Sequence, residues 1–139
     1  MKKKIAAFGL IFLTIIGIFI YYLGFYAERP DIYSEQTEQK ISATELFNKF
    51  EQDENQANAT YIDKIIEVSG TIAEIQKNQD NNLIIILREN DEMFGVICTM
   101  KEHKLDTNNT NTRDKISIKG ICKGYLSDVI LNDCIIIKE

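Results

Sequence analysis

The sequence predicts a mainly β domain, a small closed barrel of five strands preceded by one amphipathic helix, together with an N-terminal transmembrane helix. Three observations carry this prediction: an uncharged apolar run at the start, a helix-capping pattern after it, and alternating β-branched runs beyond. With 139 residues the chain has room for one globular domain. We therefore divide it into an anchor (1–27), a juxtamembrane linker (28–41) and a domain (42–139).

The apolar run extends from Ile5 to Ala27 and contains no charged residue. As a helix it would span roughly 34 Å, enough for the hydrocarbon layer of a bilayer. A cleaved secretory signal is the alternative, because Lys2 to Lys4 form a basic start. The run exceeds a signal peptide's apolar region, however, and Phe25 and Tyr26 crowd the cleavage position. No Cys follows the run to allow lipoprotein processing, so we expect a retained anchor.

The charges that flank the run predict its orientation. Three lysines precede it, whereas mostly acidic residues follow, among them Glu28, Asp31 and Glu35. Because basic flanks stay on the cytoplasmic side, we expect a single-pass inner (plasma) membrane protein with a cytoplasmic N-terminus. The domain would then be periplasmic or extracellular.

The domain is distinctly acidic. The whole chain has a net charge of −5, and leaving out Lys2 to Lys4 gives 13 basic against 21 acidic residues from Glu28 onward, a net charge of −8. Affinity for nucleic acid comes largely from basic side chains that neutralise phosphates. We therefore expect no nucleic-acid partner. The juxtamembrane linker is polar, shows no sustained periodicity and contains Pro30, the chain's one proline.

The helix is predicted by a capping box, Ser42-Ala-Thr-Glu45, in which each end can bond the other's backbone. Apolar residues follow at helical spacing at Ala43, Leu46, Phe47, Phe50, Ala57 and Tyr61. One helix of about four turns is expected.

Five strands are predicted where alternating, β-branched runs are separated by turn-rich segments. They are Lys64 to Gln76, Asn82 to Arg88, Phe94 to Met100, Lys115 to Lys123 and Asp128 to Lys138. Gly70 indicates a bend or bulge in the long first strand. This order, with its longest connection between the third and fourth strands, is typical of an OB-fold; a small sandwich is the alternative.

These segments resemble the tRNA-anti-like family of OB-fold domains over roughly Ala43 to Ile137. The matching pieces are Asn55 to Lys64, Val68-Ser-Gly-Thr-Ile72, Val96-Ile-Cys98, Lys119-Gly-Ile-Cys-Lys-Gly124 and Asp128 to Cys134. The chain departs from the family at Asp63 and at Arg113-Asp114, where glycine would be usual. The resemblance implies an OB barrel with a preceding helix, but no catalytic residue and no ligand.

An OB-fold usually binds through its second and third strands with the loops after the first and fourth. Here that face would include Lys77, Asn78, Arg88, Phe94 and Tyr125, whose basic and aromatic groups could bind a ligand. Ordinary surface and rim packing is the alternative for the same residues.

The three cysteines, Cys98, Cys122 and Cys134, each lie in an apolar β run without C-x-x-C spacing. They fit small buried residues, and in an oxidising compartment one disulfide among them is the alternative. His103, the single histidine, follows Cys98 closely, but nothing supplies an oxyanion hole or an orienting group. We expect no catalytic residue, no metal site and no cofactor.

The sequence thus favours a non-enzymatic binding or scaffold module, anchored in the membrane and contacting a protein or another envelope component. An oligonucleotide-binding domain is the first alternative, which the fold favours and the acidic charge disfavours. An enzyme is the second alternative, against which the lack of a convergent polar cluster argues.

Overall fold

The structure is a computed structural model that describes residues 12–21, 31–89, 92–101 and 111–137. The chain divides into two compact units, Met1–Pro30 and Asp31–Glu139. In the first unit residues 12–21 form helix α1, and every side chain of α1 is exposed. Residues 5–11 and 22–27 of the predicted transmembrane segment lie outside the described residues. Among the helices that are described, none has the length and apolar character needed to cross a bilayer.

The second unit contains two helices and six strands. The helices are α2 (Ala43–Gln52) and α3 (Glu54–Tyr61). The strands are β1 (Gln39–Ser42), β2 (Ile65–Lys77), β3 (Leu83–Leu87), β4 (Val96–Met100), β5 (Lys115–Tyr125) and β6 (Val129–Ile137).

Strands β2 to β6 close into the predicted five-stranded barrel. The sheet order is β1-β2-β3-β4-β6-β5, and β2 also pairs with β5, which completes the ring. The 13-residue β2 is long enough to pair with β5 through Ile65 to Thr71 and with β3 through Ile72 to Lys77. A parallel pairing of β4 with β6 closes the other side. A closed ring distinguishes the OB-type barrel from the small sandwich.

The bend in β2 lies two to four residues beyond the predicted position. The register with β3 shifts between Ile72 and Glu74, so the bulge is there and not at Gly70. Gly70 has a different role: a Cβ at this position would lie 3.0 Å from the Cβ of Ala43 and 3.2 Å from that of Leu87. Its missing side chain thus lets the start of α2 approach the barrel.

The Ser42 half of the predicted capping box is confirmed, since its hydroxyl accepts a hydrogen bond from the Glu45 backbone N–H at 3.2 Å. The Glu45 carboxylate does not return the bond but pairs with Lys49 at 3.6 Å. The prediction of one continuous helix is wrong. Asp53 ends α2 with its extended backbone and then caps α3, its carboxylate accepting from the N–H of Gln56 at 3.0 Å. An aspartate that can bond to a backbone N–H three residues ahead favours a helix start over a helix interior.

Inward-facing aliphatic side chains from all five barrel strands form the core. Helix α2 closes one end by burying Leu46 and Phe50 completely or nearly so, and α3 adds Ala57 and Tyr61. Burial of this apolar surface is the main force that holds the helices on the barrel.

The segment just before β1 packs on the outside of the barrel; we call residues 31–35 the strap. Asp31 organises its turn by accepting from the backbone N–H of Tyr33 and from the Ser34 hydroxyl. Ile32 is fully buried in a second apolar cluster with Ile65 and Ile121. A part of the predicted 28–41 linker is therefore built into the domain, and residues 39–42 extend the sheet as β1.

Two lysines hold the strap from the barrel side. Lys119 of β5 is buried, and its ammonium group donates a hydrogen bond to the backbone carbonyl of Glu35. Lys101, just after β4, pairs with Asp31 at 3.8 Å and lies 5.3 Å above the Tyr33 ring. The strap is therefore held on the barrel by a directional hydrogen bond from Lys119 as well as by the apolar packing of Ile32.

Candidate functional site

The five predicted binding residues lie in two separate places. Lys77 pairs with Leu83 at the tip of the β2–β3 hairpin, whereas Arg88 follows Leu87 at the opposite end of β3. At about 3.3 Å per residue, the length of β3 sets them roughly 16 Å apart. Asn78 lies with Lys77, while Phe94 and Tyr125 lie at the Arg88 end.

At the hairpin tip, Asn78 stabilises the turn. Its side-chain carbonyl accepts from the backbone N–H groups of Asp80 at 3.0 Å and Asn82 at 2.8 Å. Asn81 adopts the left-handed backbone conformation, with φ of 62°, that such turns favour in asparagine. The Lys77 side chain is exposed. This end of the predicted face is a well-formed hairpin turn with one lysine.

At the other end, Arg88 closes the β3–β4 loop. Its guanidinium donates to the carbonyl of Met93 at 2.9 Å. Glu92 of the same loop accepts from the Thr44 hydroxyl of α2 at 3.3 Å, which ties the loop to the helix. The position of Arg88 is thus explained by the loop alone.

Phe94 and Tyr125 meet through a third ring, that of Phe47, one of the apolar residues that predict the helix. Phe47 of α2 stacks on Phe94 with centroids 6.4 Å apart and meets Tyr125 edge to face at 5.9 Å. Tyr125 also stacks on Phe50 at 5.6 Å. The helical spacing of Phe47 and Phe50 was the available signal, but it does not reveal which loops the rings contact.

Around these rings the two loops expose apolar side chains. Met93 is 77% exposed, Leu126 83% and Phe94 40%. The loops are fastened to each other, because the N–H of Gly95 donates to the Asp128 carboxylate at 2.7 Å and the N–H of Val129 donates to the Gly95 carbonyl at 3.0 Å. These hydrogen bonds hold the two loops that carry Met93, Phe94 and Leu126 together.

The outer face of β3 and β4, where an OB-fold usually binds, is aliphatic. Ile86 pairs with Ile97, and Ile97 with Ile130 of β6; we call these three residues the isoleucine row. The flanking residues on each strand point into the core, so the row faces outward. Glu74 of β2 extends the row at one end and Gly124 of β5 at the other.

A second outward pair lies beside the row, where Ile84 of β3 pairs with Thr99 of β4. The strand residues of β3 and β4 include no aromatic and no charged side chain. The aliphatic character of this face is not evident from the sequence, because the run Ile84-Ile-Ile86 fits a strand buried on both sides equally well. Three successive isoleucines necessarily place one or two on the outside.

A shallow open groove runs between α3 and the end of β5. It is lined by Glu54, Asn58, Lys123 and Tyr125, among others. The ammonium of Lys123 is held by the carboxylate of Asp63 at 2.7 Å. Within the described residues, no three His, Cys, Asp or Glu side chains are grouped to hold a metal ion. His103 lies outside the described residues.

All three cysteines are free and fully buried. Burial raises the pKa of the Cys122 thiol to about 11, although a hydrogen bond with the backbone of Gly124 acts in the opposite direction. Burial also raises the pKa of Cys134, and its thiol's hydrogen bond with Cys98 adds to the effect. Buried thiols with raised pKa values are poor nucleophiles at neutral pH.

A closed five-stranded barrel with this strand order, capped by a helix, is an OB-fold domain. The family model tRNA_anti-like matches residues 1–135. The chain belongs to the tRNA-anti-like family.

Comparison with solved structures gives the same fold. A crystal structure described as a "putative nucleic acid-binding lipoprotein" from Klebsiella pneumoniae subsp. pneumoniae MGH 78578 superposes with a TM-score of 0.60 and 18% identity, covering 80% of this chain and 100% of that one. A "putative aspartyl-tRNA synthetase" from Leishmania major Friedlin has a TM-score of 0.45 and 11% identity, over 81% of this chain and 23% of that one. No curated protein matches the sequence.

Proposed function

We propose that this chain is a membrane-anchored binding module that stands outside the cytoplasm and holds a protein or another envelope component on the outer face of its OB barrel. The observation that carries the proposal is the isoleucine row. It occupies the position at which OB-folds bind their ligands, and its side chains are chemically suited to an apolar surface.

The row is poorly suited to nucleic acid. Proteins that bind single strands combine aromatic side chains, on which bases stack, with a basic groove that follows the phosphates. Here β3 and β4 offer isoleucine and threonine on the outside, and Glu74 adds a negative charge beside Ile86. The net charge of −8 from Glu28 onward opposes a polynucleotide further.

An apolar protein segment fits the same face better. Ile97 and Ile130 are partly exposed, and Met93 and Leu126 stand in the loops that lead into their strands. Ile86 is only 9% exposed, so the accessible part of the row is Ile97 and Ile130 together with these loops. Exposed aliphatic residues at the surface of a sheet are a common feature of protein interaction surfaces. Such a contact needs no bound cofactor and no reacting group, so the proposal is for a non-enzymatic module.

The placement outside the cytoplasm is supported by the first 27 residues. The run from Ile5 to Ala27 has no charge and follows three lysines. In the described part of this run the side chains of α1 are exposed, Phe12, Leu13 and Phe19 each by more than 60%. Apolar side chains of this kind are suited to the hydrocarbon layer of a bilayer. The Klebsiella protein is described as a lipoprotein, which agrees with attachment to the envelope.

Binding of oligonucleotides is the second candidate function. It is favoured by the fold and by the description of the Klebsiella protein as nucleic acid-binding. On this chain it would depend on Lys77 and Arg88, which lie at opposite ends of β3, with Arg88 engaged by the Met93 carbonyl. Two basic side chains this far apart do not form a continuous basic groove for the phosphates.

Crosslinking from the isoleucine row tests the proposal. We expect a photoreactive benzophenone side chain at position 97 of the full chain, illuminated in its native membranes, to form a covalent adduct with one protein partner. The same group at position 51, on the exposed face of α2, should give none. Purified partner and full chain should then associate when mixed in detergent.

Two further variants make this result specific to the face. Ile130→Asp places a charge next to position 97 and should abolish the adduct, whereas Glu51→Gln should leave it unchanged. Adducts that disappear after nuclease treatment, or equal adducts from positions 97 and 51, would overturn the proposal.

A further inference from the structure

The isoleucine row leads into the groove between α3 and the end of β5. Ile130 pairs with Gly124 at the β5 end of the row, and Gly124 also lines the groove. The register of β5 against β6 shifts between Cys122 and Gly124, so Lys123 lies in a bulge there. The Lys123 side chain is held by Asp63 at 2.7 Å, and Gly124 has no side chain to separate the row from the groove. The two surfaces are therefore continuous.

The joined surface is long enough for several residues of a linear segment. From Ile97 on β4 to Gly124 on β5, the accessible part of the row crosses two strand pairings, roughly 10 Å. The groove beyond it is open and has a volume of about 590 Å³, within the range of ligand sites. Leu126, which follows Tyr125 in the loop after β5, adds an exposed apolar side chain close to the junction.

The groove is polar where the row is aliphatic. Its α3 side carries Glu54 and Asn58, and its β5 side carries Lys123 and Tyr125. The charge of Lys123 is balanced by Asp63. Glu54 is exposed, and among the residues that the structure describes its carboxylate has no ion-pair partner. The groove therefore presents one uncompensated negative charge together with an aromatic ring.

We propose that the partner protein binds through a linear segment whose apolar residues cover the isoleucine row and whose neighbouring arginine or lysine enters the groove and pairs with Glu54. This inference rests on the function proposed above and names the chemistry of the partner. An arginine suits the groove well, because its planar guanidinium bonds a carboxylate and also stacks on an aromatic ring such as that of Tyr125.

The charge of the surrounding domain favours the same partner. The net charge of −8 from Glu28 onward attracts a basic segment and speeds its encounter with the barrel. Glu74 lies at the opposite end of the row from the groove, so the aliphatic surface is bordered by negative charge on both sides. An acidic residue in the bound segment would be repelled at either end.

Peptide selection on the full chain tests this order of contacts. The chain is held in nanodiscs of phosphatidylcholine, and phage-displayed random dodecapeptides are selected on it after binders of empty nanodiscs are removed. We expect enrichment of peptides that join two or three aliphatic residues to an arginine or lysine. On Glu54→Lys the basic residue should be replaced by aspartate or glutamate, and on Glu54→Gln the preference for a charge should disappear. Glu51→Lys, an equally exposed change on α2, should select the same peptides as the parent.

An affinity measurement tests the groove itself. The most enriched dodecapeptide, labelled with fluorescein, is titrated with the full chain in the same nanodiscs and followed by anisotropy. Ala59→Trp fills the groove from an exposed position on α3 and should weaken binding about tenfold or more. Gln56→Trp, exposed on the same helix but outside the groove lining, should change the affinity less than about twofold.

The outcomes separate this inference from the function on which it rests. Aliphatic peptides that lose binding with Ile97→Asp, but that carry no basic residue or are selected equally by Glu54→Lys, would overturn the inference and support the row as a binding face. Equal affinity of the parent and Ala59→Trp would also overturn it. Peptides that bind Ile97→Asp as well as the parent, or no enrichment over empty nanodiscs, would overturn both.

Discussion

Replacement of Gly95 by alanine is expected to lower the free energy of unfolding by about 3 kcal/mol or more. An added Cβ would lie 2.2 Å from the carbonyl oxygen of Leu87, which is backbone and is fixed by the pairing of β3 with β4. Strain of this kind is relieved only by shifting a strand, and a shift also disturbs the hydrogen bonds of Gly95 to Asp128 and Val129.

Chemical denaturation of the full chain in detergent, followed by tyrosine fluorescence, measures this loss. Gly17→Ala is the matched control, since nothing lies within 4 Å of an added Cβ there, and it should unfold like the parent. If Gly95→Ala unfolded at the parent's denaturant concentration, the close approach of the β3–β4 loop to β3 would be wrong.

Replacement of Ile32 by aspartate is expected to release the strap and to cost about 2 to 4 kcal/mol. The carboxylate cannot enter the apolar cluster of Ile65 and Ile121, so the strap would leave the barrel and expose both residues. The ammonium of Lys119 would lose the Glu35 carbonyl. The barrel core does not include Ile32, and the remaining structure should therefore persist.

Hydrogen exchange detects this local effect. The amides of residues 32–38 should exchange faster in Ile32→Asp, while those of β3 and β4 keep their protection. Gln36→Asp makes a similar charge change at an exposed position and should leave both regions as they are. Unchanged exchange in the strap, or loss of protection throughout the barrel, would contradict the packing described above.

Much of the barrel was predictable because its signals are local. The β-branched runs and their turns gave the five strands in the correct order, and Ser42 marked the start of α2. The strand pairings that close the barrel, β2 with β5 and β4 with β6, were expected only because the order of the strands is typical of an OB-fold. Pairing partners far apart in the chain leave little trace in a single sequence.

The features that were missed depend on tertiary contacts. The strap consists of polar residues around a single Ile32, and one apolar residue has no periodicity. Similarly, the break at Asp53 required a choice between a helix interior and a cap, which short-range patterns leave open.

The candidate site was predictable only as a region. Phe94 and Tyr125 do lie near each other, through Phe47, whereas Lys77 and Asn78 lie at the far end of β3. The isoleucine row was hidden, because alternation cannot be read in a run of three isoleucines. Sequence thus indicated polar and aromatic groups at the rims, and the strand pairings revealed the aliphatic surface between them.

We propose that the outer face of β3 and β4 binds an apolar partner and not a nucleic acid. The most direct test is a fluorescence anisotropy titration of single-stranded DNA and RNA, each about 15 nucleotides long, with the full chain in lipid nanodiscs at low salt. We predict no saturable binding below roughly 100 µM. Saturable binding at micromolar concentrations that weakens steeply with added salt, and that Ile97→Asp abolishes, would contradict the account.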